Sequence, residues 1–252
     1  MSSNQSTTLL PAAWKVPDVI RRRLGTQVGR QRPMVADGHL LLVLHALPKP
    51  DQPSRVGRFF WRAPDGRWTS KEHGTGINAL NAHLDEYADA IAKLEDQEEN
   101  ASTAEDLFAV LERLAPVHRA IRNLHQVLQE ARESCPDYRE IINLRDRAYD
   151  IERNAELLLG GTQNALNFAV AQRAEEQAQA SQRMAISAHR LNVLAAFFFP
   201  IVTLTAIFGV NLRHGMEDAA PPLPFLGLIG VGLFCGAILT VFVMLRRTST
   251  ST

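Results

Sequence analysis

The sequence contains few of the residues that build disulfide frameworks or catalytic metal centres. It has two cysteines in 252 residues, Cys135 before a proline and Cys235 inside an apolar run. Two such thiols cannot form a disulfide framework or a zinc site, so we interpret both as packing residues. No glycine-rich phosphate loop and no Cys/His cluster of a catalytic type is present, so the sequence does not indicate an enzyme. The isolated histidines, including His189, are interpreted as surface groups.

An excess of charge of either sign is also missing. The 27 basic and 27 acidic residues cancel, so bulk charge gives no indication of nucleic-acid binding. The N-terminal stretch MSSNQSTTLLPAAWK has no basic start followed by an apolar segment, so we expect no cleaved signal peptide. Residues 1–10, rich in Ser, Thr and Gln, are predicted to be a disordered tail.

Two long apolar runs are present in the last quarter of the chain. Residues 191–208 read LNVLAAFFFPIVTLTAIF and residues 223–245 read LPFLGLIGVGLFCGAILTVFVML, and neither run contains a charged residue. At about 1.5 Å per helical residue, each run can cross a hydrocarbon core of about 30 Å. The sequence therefore predicts a C-terminal hairpin of two transmembrane helices, with residues 209–222 as its connecting loop.

The basic residues beside the two runs predict their orientation. The loop between the runs carries only Arg213 and two acidic residues, whereas the other flanks are basic. By the positive-inside rule, both termini lie in the cytoplasm, including the tail 246–252, and the loop lies outside. The cytoplasmic basic residues are Arg183, Arg190, Arg246 and Arg247.

The N-terminal part of the chain, residues 11–76, is predicted to form a small β-rich cytosolic subdomain. Asp37-Gly38 and Ala63-Pro64-Asp65-Gly66 are turn signals between short apolar segments, which is typical of hairpins. About four strands are expected. The predicted strands are 33–36, 40–44, 58–62 and 68–69, and a short helix is predicted over 17–24 with Pro17 in its first turn.

Helix formers dominate from residue 77 onward. Apolar residues at 3,4 spacing predict a helical hairpin over 77–136, in which Ser102 or Thr103 caps the second helix. Pro116 is expected to kink or split that helix. A long stalk helix follows over 137–190 and runs on into the first apolar span. Gly160-Gly161 within the stalk indicates either a local bend or a hinge.

The order of these segments leads to a tripeptide, Gly209-Val210-Asn211, at the outer end of the first of only two C-terminal spans. In this context the chain resembles the CorA family of divalent-cation channels, which carry Gly-Met-Asn at this place. The resemblance is most specific over 137–247. The middle residue departs from the family pattern, because Val210 stands where the family has Met. Members such as the zinc-transporting ZntB type also lack this Met. This departure leaves the choice of cation open.

The resemblance implies a pentamer in which the Asn211 side chain and the Gly209 carbonyl accept hydrogen bonds from the waters of a hydrated cation, beside Val210. The alternative is a helix C-cap, because Gly and Asn both favour the conformation that ends helices. Glu217 and Asp218 would form an external acidic ring that concentrates cations, or else belong to an ordinary solvated loop. Asp150 on the stalk corresponds to a regulatory metal ligand of the family, or else is a surface charge.

One side of the first span is small and partly polar, and we predict that it lines the ion path. Leu191 and Phe199 would be apolar constrictions that gate by dewetting. The alternative is that the small residues only allow close helix packing, which is how we interpret Gly232-x-x-x-Gly236 in the second span. The predicted pore-lining residues are Leu191, Asn192, Ala195, Phe199, Val202, Thr203 and Ala206.

The sequence as a whole predicts an α+β membrane protein. A small cytosolic α/β domain and antiparallel helices are followed by one long stalk helix that runs into the first of two transmembrane helices. The expected function is that of a homo-oligomeric, pentameric channel in the inner membrane. It would pass divalent cations, with Mg²⁺ as the first candidate, and have no cofactor besides the ion. The alternatives are a Zn²⁺ or other transition-metal transporter and a non-conducting membrane-anchored scaffold.

Overall fold

The computed structural model describes residues 9–49, 55–209 and 222–248, with side chains up to residue 243 in the last range. The chain divides into two compact units, Met1–Ala171 and Gln172–Thr252. The boundary falls inside one long helix, within the segment that the sequence analysis assigned to a stalk.

The first unit contains a four-stranded antiparallel sheet whose strands follow one another in chain order. At the first turn, Asp37 and Gly38 have φ values of 51° and 72°, the left-handed pair that a tight hairpin turn requires. The predicted hairpins are confirmed. The expected combination of a sheet with helices is present in this unit, and the strand pairs β1–β2, β2–β3 and β3–β4 are antiparallel. The strands are β1 (Arg32–Ala36), β2 (His39–His45), β3 (Gly57–Arg62) and β4 (Trp68–Ser70).

Both faces of the sheet are covered. Alternate residues of β2 point to opposite sides: Leu42 belongs to a core shared with the helices, whereas Leu41 belongs to a core shared with the N-terminal segment. That segment includes helix α1 (Asp18–Arg22), which is shorter than the predicted helix over 17–24 and has Pro17 as its N-cap, just before the first turn. Leu10 is only 3% exposed within the second core. The predicted disordered tail, residues 1–10, is therefore too long at its C-terminal end. Residues 1–8 lie outside the described residues.

Helices α2 (Asn78–Glu99) and α3 (Ala104–Ser134) pack together as the predicted helical hairpin. A capping box begins α3: the Asp106 amide donates to Thr103 Oγ1 at 3.1 Å, and the Thr103 amide donates to the Asp106 carboxylate at 2.9 Å. Pro116 lies inside α3 and does not split it. A proline removes one helical hydrogen bond, and the continuous buried face on both sides of it holds the helix together.

Helix α4 (Glu140–Gly209) is continuous through Gly160-Gly161 and Pro200. It starts three residues later than the predicted stalk, next to an arginine that orients its first turn. Arg62 Nε donates to the Glu140 carboxylate at 2.8 Å, and the guanidinium lies 3.5 Å from the centre of the Tyr138 ring. The first turns of α4 complete the core of the first unit with Ile141, Leu144, Ala148, Ile151 and Ala155.

In the second unit, the end of α4 packs against α5 (Leu223–Thr248). A Cβ added to Gly232 would lie 3.1 Å from Ile201 Cγ1, and one added to Gly236 would collide with the carbonyl oxygen of Phe197. The predicted packing role is confirmed for Gly236, where a side chain would collide with backbone, whereas at Gly232 an added Cβ would require Ile201 to shift by a few tenths of an ångström.

Candidate ion pathway

The last part of α4 and α5 are the two helices, among the described residues, that are long and apolar enough to cross a membrane. None of the residues in the most apolar window of α4 is buried. Leu191 is 65% exposed and Phe199 is 68% exposed. A soluble protein buries a helix of this composition, so apolar side chains exposed to this degree indicate contact with another apolar medium.

The membrane-length part of α4 has two distinguishable faces. One face meets α5 through Phe197 and Ile201, which are half-buried and lie opposite Gly236 and Gly232. These two bulky residues therefore face the second span. All seven predicted pore-lining residues are exposed instead: Leu191, Asn192, Ala195, Phe199, Val202, Thr203 and Ala206.

The two threonines of this segment bond to their own helix. Thr203 Oγ1 donates to the Phe199 carbonyl at 2.8 Å, and Thr205 Oγ1 donates to the Ile201 carbonyl at 2.9 Å. Each hydroxyl proton is therefore satisfied without any partner outside the helix, which makes the residue compatible with an apolar surrounding.

Gly209 is the last residue of α4, is exposed, and has open space where a side chain would begin. This position agrees with the helix-end interpretation of the glycine and leaves room for a filter role. Val210, Asn211, Glu217 and Asp218 lie outside the described residues. Their roles therefore stay predictions.

Asp150 is an exposed residue of α4 within the first unit. Within residues 9–49, 55–209 and 222–248, it belongs to no group of three or more potential metal ligands. A site that takes one ligand from each of several copies needs no such group, so the regulatory role of Asp150 stays a prediction as well.

The interpretation of the histidines as surface groups is wrong for His45 and His83, which are 6% and 0% exposed. His83 lies on α2 one helical turn before Glu86, and ligand atoms of these two residues and His73 lie within 4.8 Å of one another. Sequence analysis missed this cluster because His73 comes from the link before the helix. The His-x-x-Glu spacing on one helical face was the available signal. The two cysteines are free, and Cys135 is buried, as expected of a packing residue.

Comparison with known families shows to which family the chain belongs. The sequence model of the family described as CorA-like Mg²⁺ transporter protein matches residues 69–247, which is more than half of the chain. The protein belongs to this family. The match begins in β4 and continues through both apolar helices.

Solved structures that are similar to this chain include the following three. The full-length CmaX protein is 17% identical, with 88% of this chain and 80% of that chain covered and a TM-score of 0.47. The CorA magnesium transporter from Methanocaldococcus jannaschii is 15% identical, with 85% and 80% covered and a TM-score of 0.41. The cytoplasmic domain of ZntB from Vibrio parahaemolyticus RIMD 2210633 is 17% identical, with 64% and 80% covered and a TM-score of 0.48. None of the curated proteins matches the chain.

Proposed function

We propose that the protein is a homo-oligomeric channel that passes divalent cations across the inner membrane, with Mg²⁺ as its ion. The observation that carries this proposal is the family match over residues 69–247, which includes two exposed apolar helices and the Gly-Val-Asn tripeptide between them. Both termini would lie in the cytoplasm, and lipid would cover the outer surface of the helices.

The proposed ion path uses the side of α4 that α5 leaves uncovered. The seven exposed residues 191, 192, 195, 199, 202, 203 and 206 would face the symmetry axis of a pentamer, with Leu191 and Phe199 as apolar constrictions. An oligomer explains why this side is exposed in a single chain, because neighbouring copies would enclose it around water.

The proposed selective step takes place at the outer end of this path. Mg²⁺ releases its inner waters reluctantly, so a ring of Asn211 amide oxygens and Gly209 carbonyls would bind the hydrated ion through its waters. Glu217 and Asp218 would raise the local cation concentration. Asp150 would bind a regulatory cation between neighbouring copies.

The transport needs no chemical fuel. An inside-negative membrane favours entry of a +2 ion by about 4.6 kcal/mol per 100 mV. The electrochemical gradient is therefore sufficient for uptake through an open path.

A second candidate is transport of Zn²⁺ or another transition metal, which Val210 favours because zinc-transporting members of the resembled family also lack the methionine. A non-conducting membrane-anchored scaffold is the candidate from another class. Measurements of Mg²⁺ and Zn²⁺ flux under the same conditions separate the three.

The decisive experiment reconstitutes the full chain into vesicles that contain a Mg²⁺-sensitive or a Zn²⁺-sensitive dye. We expect Mg²⁺ influx that depends on an inside-negative potential. Asn211→Ala should abolish this influx and leave the oligomer mass unchanged, because it removes the amide oxygens that would bind the hydrated ion. Asn143→Ala is the matched control, since Asn143 is an exposed asparagine on the cytosolic part of α4.

Three results would contradict parts of the proposal. Absence of flux for every divalent ion removes both transport candidates and leaves the scaffold. Flux of Zn²⁺ without flux of Mg²⁺ replaces the proposed ion. Normal flux in the Asn211→Ala variant removes Asn211 from the selective step.

A further inference from the structure

Four side chains of the first unit meet around one point between the sheet and α2. His73 comes from the link after β4, His83 and Glu86 come from α2, and Arg58 comes from β3. Arg58 Nη1 lies 2.9 Å from His83 Nδ1 and 2.7 Å from Glu86 Oε2. His73 Nε2 lies 3.5 Å from the other carboxylate oxygen, Glu86 Oε1. The cluster therefore brings two imidazoles and one carboxylate together, and the Arg58 guanidinium bonds to His83 and Glu86.

The hydrogen bonds determine which lone pairs are used. An arginine only donates, so His83 Nδ1 accepts from Arg58 and the proton of this imidazole is on Nε2. That Nε2 is buried and has no hydrogen-bond partner, and the same is true of His73 Nε2. Burial, with smaller contributions from Arg58 and His73, lowers the pKa of His83 to about 3.

The guanidinium occupies the place that a metal ion would take. The lone pairs of His83 Nδ1 and Glu86 Oε2 already converge on one nitrogen of Arg58, and His73 Nε2 beside Glu86 is buried without a hydrogen-bond partner. A buried nitrogen lone pair without a partner is unfavourable, and a bound cation would satisfy the one at His73 Nε2, whereas His83 Nε2 is an N–H donor that a cation cannot satisfy.

We propose that His73, His83 and Glu86 form a binding site for a transition-metal dication such as Zn²⁺, and that Arg58 is a built-in competitor that must leave before the metal binds. Two nitrogens and one carboxylate oxygen are the donor set of zinc sites that keep a position open for water. Mg²⁺ takes oxygen ligands almost exclusively, so the site discriminates against it.

The site is accessible from solvent on one side. The side chain of Glu86 is 36% exposed and those of Arg58 and His73 are each 16% exposed, whereas His83 forms the closed inner wall beside Phe60 and Tyr87. A metal can enter from the Glu86 side while Arg58 turns toward water. Arg58 links β3 to α2, so its departure breaks a bond between the sheet and the helix. The bound metal would instead connect α2 to the link that carries His73.

This proposal does not depend on the transported ion or on transport at all. The test is a Co²⁺ titration of the full-length protein in mild detergent, followed by visible absorption and then by displacement with Zn²⁺. We expect one Co²⁺ per chain that gives an intense low-coordinate spectrum. A roughly 100-fold excess of Mg²⁺ should not displace it, because Mg²⁺ prefers oxygen ligands. His73→Gln and Glu86→Gln should each weaken binding by at least about tenfold.

Arg58→Ala is the sharper variant, because the competitor model and a plain stabilising role predict opposite results. Removal of the competitor should strengthen Co²⁺ binding by about tenfold or more. His125→Gln is the matched control: His125 Nδ1 lies 2.6 Å from Glu152, and within the described part of the chain this pair belongs to no three-ligand group. Binding should be unchanged in this control.

The outcomes are distinct. A weak octahedral Co²⁺ spectrum that His73→Gln and Glu86→Gln leave unchanged would overturn the site. Weaker binding in Arg58→Ala would overturn the competition. His83→Ala should also abolish binding, and because His83 is fully buried, the test depends on the two more accessible ligands and not on this variant.

Discussion

At the start of α3, Thr103 and Asp106 each satisfy the other's backbone amide. The first amides of a helix have no partner within the helix, so these two bonds replace contacts that would otherwise go to water. Hydrogen bonds from Thr103 and Ser102 lower the pKa of the Asp106 carboxyl. The stabilisation is therefore present above the ordinary pKa of an aspartate and decreases as the pH falls through the lowered value.

Thr103→Ala should reduce the free energy of unfolding by about 1 kcal/mol, since it removes the side-chain acceptor of the capping box. Thr103→Ser keeps the hydroxyl and should remain within about 0.5 kcal/mol of the wild type. Thermal unfolding in detergent, with hydrogen exchange at the first turn of α3, measures both. Equal loss of stability in the two variants would show that the methyl group matters and the cap does not.

The residue scale is where prediction from sequence was least complete. Thr103 was one of two possible caps, and the structure chooses it because its side chain reaches the third amide of the helix. His83 was missed, because an isolated histidine in a helix gives no signal of burial until β3 and the link after β4 fold against it. The contact of Arg62 with the first turn of α4 was missed for the same reason, because its carboxylate partner, Glu140, is distant in sequence.

At the scale of elements, the contact between α4 and α5 depends on Gly236. Gly236 faces the carbonyl oxygen of Phe197 so closely that a methyl group does not fit, whereas Gly230 on the same helix has open space around it. The contrast within one helix separates the effect of packing from the effect of helix propensity.

Gly236→Ala should lower the stability of the helical pair by at least about 1 kcal/mol, because the added methyl group forces the two backbones apart. Gly230→Ala should be neutral or stabilising by up to about 1 kcal/mol, because alanine favours the helix and meets nothing. The melting temperatures of the two variants in detergent provide the comparison. If both variants melt like the wild type, the close approach of α5 to Phe197 is incorrect.

Elements with a regular apolar period were predicted well. The strands around Asp37-Gly38 and the buried stripe of α2 follow directly from periods of two and of three to four residues. Of the two effects expected of Pro116, the split is absent, because burial of Val117 and Ile121 beside it favours a continuous helix, and the kink stays a prediction. Leu10 was misjudged because polar neighbours obscured one residue that the second core needs.

At the scale of the whole molecule, a single copy leaves large apolar side chains of both C-terminal helices exposed. Lipid can cover part of this surface, and neighbouring copies can cover another part. The sequence identifies which residues share a side of α4, but period alone does not show whether that side meets lipid, protein or water. For this reason the ion path stays a proposal although its seven residues are exposed together.

The native mass of the protein in mild detergent should be a multiple of the chain mass, and a pentamer gives five. A path on a symmetry axis requires several copies, so this measurement tests the arrangement before any flux is recorded. Mass photometry at two protein concentrations distinguishes a stable assembly from transient association. A single-chain particle under all conditions would exclude an axial path.

The hydrogen bond from Thr203 to the Phe199 carbonyl has an electrostatic consequence. Its hydroxyl hydrogen is turned inward against the helix, so the oxygen shows only lone pairs to its surroundings. Waters around a positive ion present their hydrogens outward and can approach such an oxygen, whereas waters around chloride present oxygen and find no donor. In the proposed ion path, this one inward bond would make the wall prefer positive over negative ions without a formal charge.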